Sequence, residues 1–335
     1  MLNKLTIEDL AGGINMIDLG SSGGVDSYWL SLAPLINLYA FDPNLEECKT
    51  FEDQTSSFHQ VKYLPYAIAG KSGTYTLYKT RNPYCWSLLE PDTGWLERLR
   101  FRSWFRVEDT EEIDVKTLPE LEELKGIQID ALKCDTQGLE LPILKSIQSE
   151  MDRCFIVETE TGIGKNYKEE STFHEVSEFM IGNGYRLFDV NMNHRISRQN
   201  RFARRTRKQE ILWCNAIWMK DYVAVANEGQ LSIDRVEALK ALLFCANHGC
   251  FDFGFELATL FREKGLISET EYENLHRHSS WAAVNRRGGI GKFVENATRW
   301  TLNWVPKRWC ERFANLIAEI SQIQHPIRAW LERKD

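Results

Sequence analysis

The sequence lacks the marks of several protein classes. Its eight cysteines, Cys48, Cys85, Cys134, Cys154, Cys214, Cys245, Cys250 and Cys310, are scattered and never form C-x-x-C. That spacing argues against a zinc ribbon or a thioredoxin-like redox site. Cys134, Cys154 and Cys214 sit in apolar runs and read as small buried hydrophobes. No charged-then-apolar leader opens the chain, and no apolar run reaches the ~20 residues that cross a bilayer. A reducing cytoplasm is therefore the expected compartment. The dinucleotide pattern G-x-G-x-x-G is missing, as are internal repeats and low-complexity tracts. No RNA-binding module is recognisable, so nucleic acid is not an expected partner.

What is present is a globular composition, 43% hydrophobic and 27% charged over 335 residues. That is enough for a full α/β core and a second unit. The net charge of −7 is uneven: residues 277–335 hold 11 Lys/Arg against 5 Asp/Glu, so the body is acidic and the tail basic. Such a tail suits something anionic.

Strand and helix signals alternate from residue 14. "INMIDLG" (14–20) is a buried strand ending in glycine, and "GVDSYWLSLAPL" reads as the helix after it. "LINLYAFDPN" (35–44) is a second strand, and "LEECKTFED" a second helix. "QVKYLPYAIAG" and "GTYTLYKT" read as a strand and a hairpin-like partner across "GKSG". "IDALKCD" with "LPILKSIQSEM", then "RCFIVETE" with "STFHEVSEFMIGNG", continue the alternation. "YRLFDVN" and "EILWCNAIWMK" follow without a helix between them, so they are expected to pair antiparallel across the loop 191–209. The fold class is α/β, a mainly parallel sheet covered on both faces with an antiparallel last strand. Helices alone follow Asp221, with Ser268 and Glu271 forming a capping-box pattern. The expected units are 1–222, a helical extension 223–284, and a basic, tryptophan-rich tail 285–335.

Chemistry concentrates at strand ends. In "IDLGSSGG" (17–24), Asp18, Gly20 and Gly24 occupy a strand-to-helix turn where backbone amides can meet a ligand. Asp42 closes the second strand, 22 residues after Gly20. It can accept hydrogen bonds from both hydroxyls of a ribose, or simply cap a helix. In "LKCDTQGLELPILKS" (132–146), Lys133 and Asp135 share one side of a strand and arrive together at its carboxyl end. Glu158 and Glu160 repeat that spacing on the next strand. With Asp135 they can form an oxygen-rich Mg²⁺ site; the favoured alternative is that one of them neutralises Lys133. Lys133 either orients an anionic acceptor or pairs with a carboxylate. Trp86 and Ser87 line an acceptor cleft or belong to a surface loop with one buried aromatic.

In this order "IDLGSSGG", "FDPN", "YAIAGKSG", "IDVKTLPEL", "DALKCDTQGLELPILKS" and "FIVETETGIGKNYKEESTFHEVSEFMIGNGYRLFDV" resemble FkbM-type methyltransferases, which use S-adenosylmethionine (SAM). The likeness spans about residues 14–220. Its most specific part is the family's K-x-D-x-(E/Q)-G-x-E, filled here by Lys133, Asp135, Gln137, Gly138 and Glu140. Where the family commonly has Ala-Asn, this chain has Ser21-Ser22. The resemblance implies a Rossmann-like sheet of the class I methyltransferases. It places Asp18, Gly20, Ser21 and Ser22 around the methionine part of SAM, and Asp42 on the ribose. Phe41, Pro43, Ala67 and Ile68 would flank sugar and adenine, and Asp135 would lie close to the sulfonium. The candidate catalytic residues are Asp135, Lys133 and Glu158. Candidate acceptor contacts are Trp86, Ser87, Glu160, Arg195 and Arg198.

The loop "NHRISRQNRFARRTRK" (193–208) carries seven Arg/Lys and no acid. Such density suits an acceptor bearing phosphate or carboxylate, unless the loop is merely solvated. In the tail, Phe293, Ala297, Trp300 and Trp304 recur at helical spacing, and five of the eleven tryptophans follow residue 280. Basic amphipathic helices of this kind suit peripheral contact with the inner face of a membrane, or pack on protein, including a second subunit. The expected activity is O-methylation of a sugar-containing or anionic acceptor such as a glycan. The alternatives are a nicotinamide-dependent oxidoreductase and a non-catalytic methyltransferase-fold scaffold.

Overall fold

The computed structural model describes residues 2–21, 24–44, 57–203 and 208–277. The expected helix at 45–53, Ser22, and the tail 285–335 with its expected membrane or protein contact lie outside them.

Strands β1 (Ile14–Leu19), β2 (Ile36–Phe41) and β3 (Gln60–Leu64) come first in the chain. Next, β4 (Ala67–Ile68), β5 (Gly73–Thr80) and β6 (Val107–Lys116) form a separate three-stranded sheet in the order β4-β6-β5. The main sheet is completed by β7 (Ala131–Cys134), β8 (Ile156–Gly162), β9 (Tyr185–Asn191) and, after the short pair β10 (Arg195–Ile196) and β11 (Glu210–Ile211), β12 (Trp213–Lys220). Its order is β3-β2-β1-β7-β8-β12-β9, with β12 antiparallel to both neighbours and the other pairs parallel. The mainly parallel sheet with an antiparallel last strand is as expected.

Both faces are covered, which is why the central strands read as near-continuous apolar runs. One face buries Met16, Leu38, Ala131, Ile156 and Met219 against Trp29 and helices after residue 220. The other buries Ile17, Leu132, Cys134, Val157 and Trp218 with residues of α1 (Glu140–Ser146) and α2 (Phe173–Gly182). After α3 (Tyr222–Asn227), α4 (Arg235–Asn247) is buried almost all round. It is fixed by a capping box between Asp234 and Glu237 and by Lys240, whose Nζ meets Asp130 at 2.7 Å in the interior. α5 (Phe251–Glu263) and α6 (Glu269–His276) follow, the latter opened by the Ser268/Glu271 capping box.

Two local expectations are corrected. Residues 25–35 form two 3₁₀ turns, Trp29–Ser31 and Ala33–Leu35, in place of an α-helix. Pro34 removes a donor and blocks the helical ladder behind it. β4 and β5 are not a hairpin across "GKSG"; β6 lies between them. That strand is mostly exposed and acid-rich, so no apolar alternation announces it. Its acids work across the ladder instead, with Glu111 meeting Lys79 at 2.5 Å and Asp114 accepting from Thr74 at 3.1 Å.

Candidate active site

The carboxyl ends of β1, β2, β7 and β8 converge on a cavity of about 430 Å³. Ladder register explains which side chains reach it. Asp18, Lys133 and Glu158 are direct partners across β1, β7 and β8 and form one row on one face. Gly20, Asp135 and Glu160 stand two residues further along those strands and line the cavity. Two residues of strand advance the chain by about 6–7 Å, so the first row lies beneath the floor.

Gly20 is the close-packed point of this junction. Its φ is +77°, and an added Cβ would come within 1.8 Å of the Asp135 carbonyl oxygen. The backbone there is fastened by Asp135 N–H donating to Leu19 (3.0 Å) and Gly20 N–H donating to Phe41 (3.0 Å). Only glycine tolerates both the left-handed conformation and the contact.

The turn after Asp135 holds Gln137 at φ +56°, unusual for a side chain with a Cβ. Ser87 Oγ donates to its carbonyl at 2.8 Å, and Tyr167 Oη donates to its Oε1 at 2.9 Å. Its Nε2 then donates to Asp135 (2.8 Å) and to Glu160 (3.2 Å). Glu140, fully buried, accepts from Thr136 N–H (2.9 Å) and Gly138 N–H (3.1 Å) and thereby ties the turn to the start of α1. The motif is thus a bracket that presents two carboxylates side by side.

Electrostatics follow from burial. Desolvation pushes up the carboxyls of Asp135 and Glu160, with the charge of Asp135 raising Glu160 further. Lys133 and Gln137 pull both the other way. Burial thus favours the uncharged form of both carboxyls relative to a solvated carboxylate. Burial opposes the charge on Lys133, but Asp18, Asp135, Glu158 and Asp26 outweigh it and hold the ammonium charged.

Glu140 is raised to about 8, Glu158 to about 7 and Glu170 to about 7, each chiefly by burial. These carboxyls bind protons more tightly folded than unfolded. Their contribution is full below the unfolded value near 4.5 and is lost as pH rises through 7–8. His248, lowered to about 4 by burial, acts in the opposite sense as its unfolded imidazole loses its remaining proton above pH 6.5, but this is smaller than the loss from the three carboxyls. Stability is therefore expected to fall between pH 6.5 and 8, by on the order of 2 kcal/mol. Glu140→Gln should flatten the slope, and thermal unfolding at the two pH values measures it. A flat or rising profile in the parent protein contradicts the assignment.

The expected residues separate into groups. Gly20, Phe41, Asp42, Pro43, Ala67, Ile68, Trp86, Ser87, Asp135 and Glu160 line the cavity. Asp42 directly follows β2, with Asn44 N–H donating to its Oδ1 at 2.8 Å. Ser21 is buried beside the turn, donating to the Phe41 carbonyl. Asp18 and Lys133 form a buried ion pair of 3.3 Å beneath the floor, so Lys133 pairs with a carboxylate and does not reach the cavity. Glu158 turns to Tyr28, whose hydroxyl donates to it, and to Trp29 Nε1 (3.4 Å).

The Mg²⁺ site, the less favoured of the two readings, does not assemble among the described residues. Glu158 is engaged away from Asp135 and Glu160, and no metal-binding cluster of His, Cys, Asp or Glu exists among the described residues. Arg195 and Arg198 do not line the cavity either. Arg195 donates to the Gln209 carbonyl, and Arg198 pairs with Glu210 at 2.5 Å and lies over the Trp95 ring. Glu210 stands just past the loop whose lack of acid suggested an anion.

Several lining residues were not expected. Tyr167, Trp104, Phe105 and Trp213 build an aromatic wall, and His194 stacks on Trp213 at 5.0 Å while its Nε2 meets Asn215. No Lys or Arg lines the cavity among the described residues.

The strand order, with a cavity at the strands' carboxyl ends, is that of a Rossmann-like sheet of the class I methyltransferase type. The chain belongs to the FkbM methyltransferase family: the model described as Methyltransferase FkbM domain matches residues 19–187, half of its length. That assignment replaces the nicotinamide alternative. No curated protein matches. Similar solved structures include precorrin-6y C5,15-methyltransferase from Geobacter metallireducens GS-15, 12% identical, covering 64% of this chain and 85% of that one, at TM-score 0.31. Magnesium protoporphyrin IX methyltransferase (ChlM) from Synechocystis PCC 6803 with bound SAM is 10% identical, covering 66% and 78%, at TM-score 0.33. The N-terminal domain of EvdMO1 with SAH (S-adenosylhomocysteine) bound is 8% identical, covering 64% and 76%, at TM-score 0.30. No helix among the described residues is long and apolar enough to cross a membrane.

Proposed function

We propose that the enzyme methylates a hydroxyl of an uncharged, sugar-containing acceptor. The observation that carries this reading is the pair Asp135 and Glu160, bridged by Gln137 in a cavity with no lining cation among the described residues. This acidic floor fits a cationic sulfonium, and the donor supplies an electrophilic methyl group there. Phe41, Pro43, Ala67 and Ile68 would flank its nucleoside, Asp42 would hold the ribose, and Gly20 with Ser21 would bound the methionine part. Lys133 keeps Asp18 neutralised beneath them.

The acceptor half is the aromatic side, with Trp86, Phe105, Tyr167 and Trp213. There the protein must align an oxygen and receive its proton. Glu160 is the group for the proton, because its carboxyl is raised and faces the cavity. An anionic acceptor has less support, since Arg198 is neutralised by Glu210 and neither Arg195 nor Arg198 lines the cavity.

The test needs no known acceptor. Asp135→Asn is expected to weaken SAM binding about 10-fold, as loss of a charge-assisted contact does, and SAH binding less than threefold. Equal losses for both ligands in titration calorimetry contradict this placement of the sulfonium. Transfer of labelled methyl from SAM to neutral glycans, reduced in Glu160→Gln, tests the acceptor class.

A further inference from the structure

The cavity mouth carries a feature that methyl transfer to one hydroxyl does not require. Tyr84 and Trp104 are 56% and 45% exposed, and both line the cavity. Among the described residues, no other exposed large apolar side chain does so. Exposed aromatics forfeit burial, so a pair at a site mouth is informative.

The segments that carry the pair are fastened together, and the Trp104 ring is braced. Asn82 N–H donates to the Trp104 carbonyl (3.1 Å) and Arg81 N–H to the Arg106 carbonyl (2.8 Å), fastening the two segments together. Phe101 stacks on the Trp104 ring at 4.9 Å and 14°, backing one indole face and leaving the other for a ligand. A side chain fixed in this way loses little freedom on binding.

We propose that Tyr84 and Trp104 form a second sugar subsite, seating the ring next to the one that is methylated, so that the acceptor is a neutral glycan of two or more residues. This rests on the sugar-acceptor reading and extends it. A pyranose has one face of C–H groups that packs on an aromatic ring and a rim of hydroxyls that donate hydrogen bonds. The lining matches both. Its rings are Tyr84, Trp86 and Trp104, and its polar lining includes Asp135, Glu160 and Glu170, whose carboxylates have further lone pairs that accept from sugar hydroxyls. Phosphate- or carboxylate-bearing ligands find no lining Lys or Arg among the described residues, and a lipid chain would set apolar surface against those carboxylates.

The test is the full chain, saturated with SAH, on an array of defined neutral mono-, di- and trisaccharides. Di- or trisaccharides should be retained at least 10-fold better than their single sugars. Trp104→Ala, and separately Tyr84→Ala, should reduce them to the single-sugar level while SAH affinity stays within twofold. The SAH measurement shows that each variant is folded, and Tyr84, being the more exposed, provides the milder change. If single sugars bind as well as longer glycans, or if both variants retain the longer glycans, the subsite is overturned and the sugar acceptor stands. If the parent protein retains no carbohydrate, both fall.

Discussion

Gly20→Ala is expected to lose more than about 4 kcal/mol of stability and all measurable SAM binding. The added methyl would stand 1.8 Å from the Asp135 carbonyl oxygen in a backbone at φ +77°. That oxygen belongs to the chain of the sheet, so relief requires β1 and β7 to part where Asp135 N–H donates to Leu19. Losses of this size arise from a few mechanisms, of which overpacking against fixed backbone is one. Gly164→Ala is the control, because nothing lies within 4 Å of its added Cβ. Urea unfolding and calorimetry with SAM distinguish the outcomes. A Gly20→Ala protein that folds and binds SAM like its parent contradicts the packing described.

Lys133→Met should cost about 3–5 kcal/mol, because it leaves Asp18 charged in a fully buried site without its partner. Asp18 Oδ2 already lacks a hydrogen-bond partner among the described residues, so the ion pair is what balances that carboxylate. The double variant Asp18→Asn with Lys133→Met should recover most of the loss, since removing both charges removes the penalty. Chemical denaturation of the four proteins forms the cycle. Additive losses mean that the two side chains act independently and the row beneath the cavity has another purpose.

The central sheet was legible because its strands are apolar and buried on both faces, and because turn residues separate them. Asp135 could be placed at a strand end for the same reason. Lys133 could not be told apart from it by spacing, since two residues on one face share an orientation but differ in depth. The partner of Glu158 was hidden for another reason: Tyr28 and Trp29 lie in turns that Pro34 imposes on a segment with helix-like periodicity. The aromatic wall was not legible at all. Trp104, Tyr167, His194 and Trp213 come from four distant segments, and no local pattern joins them. The arginines drew attention by number, whereas Glu210 and the ring of Trp95 decide what Arg198 does.

The bracket around Gln137 has a consequence for grafting and for recombination between relatives. Its unusual backbone angle is held by Ser87 from one loop, Tyr167 from another and the Glu140 clasp from its own helix. Moving the Lys-x-Asp-x-Gln-Gly-x-Glu stretch alone into a foreign host would leave that turn without its outside braces. The segment and its two distant supports are one transferable unit, and chimaeras should be cut so that all three travel together.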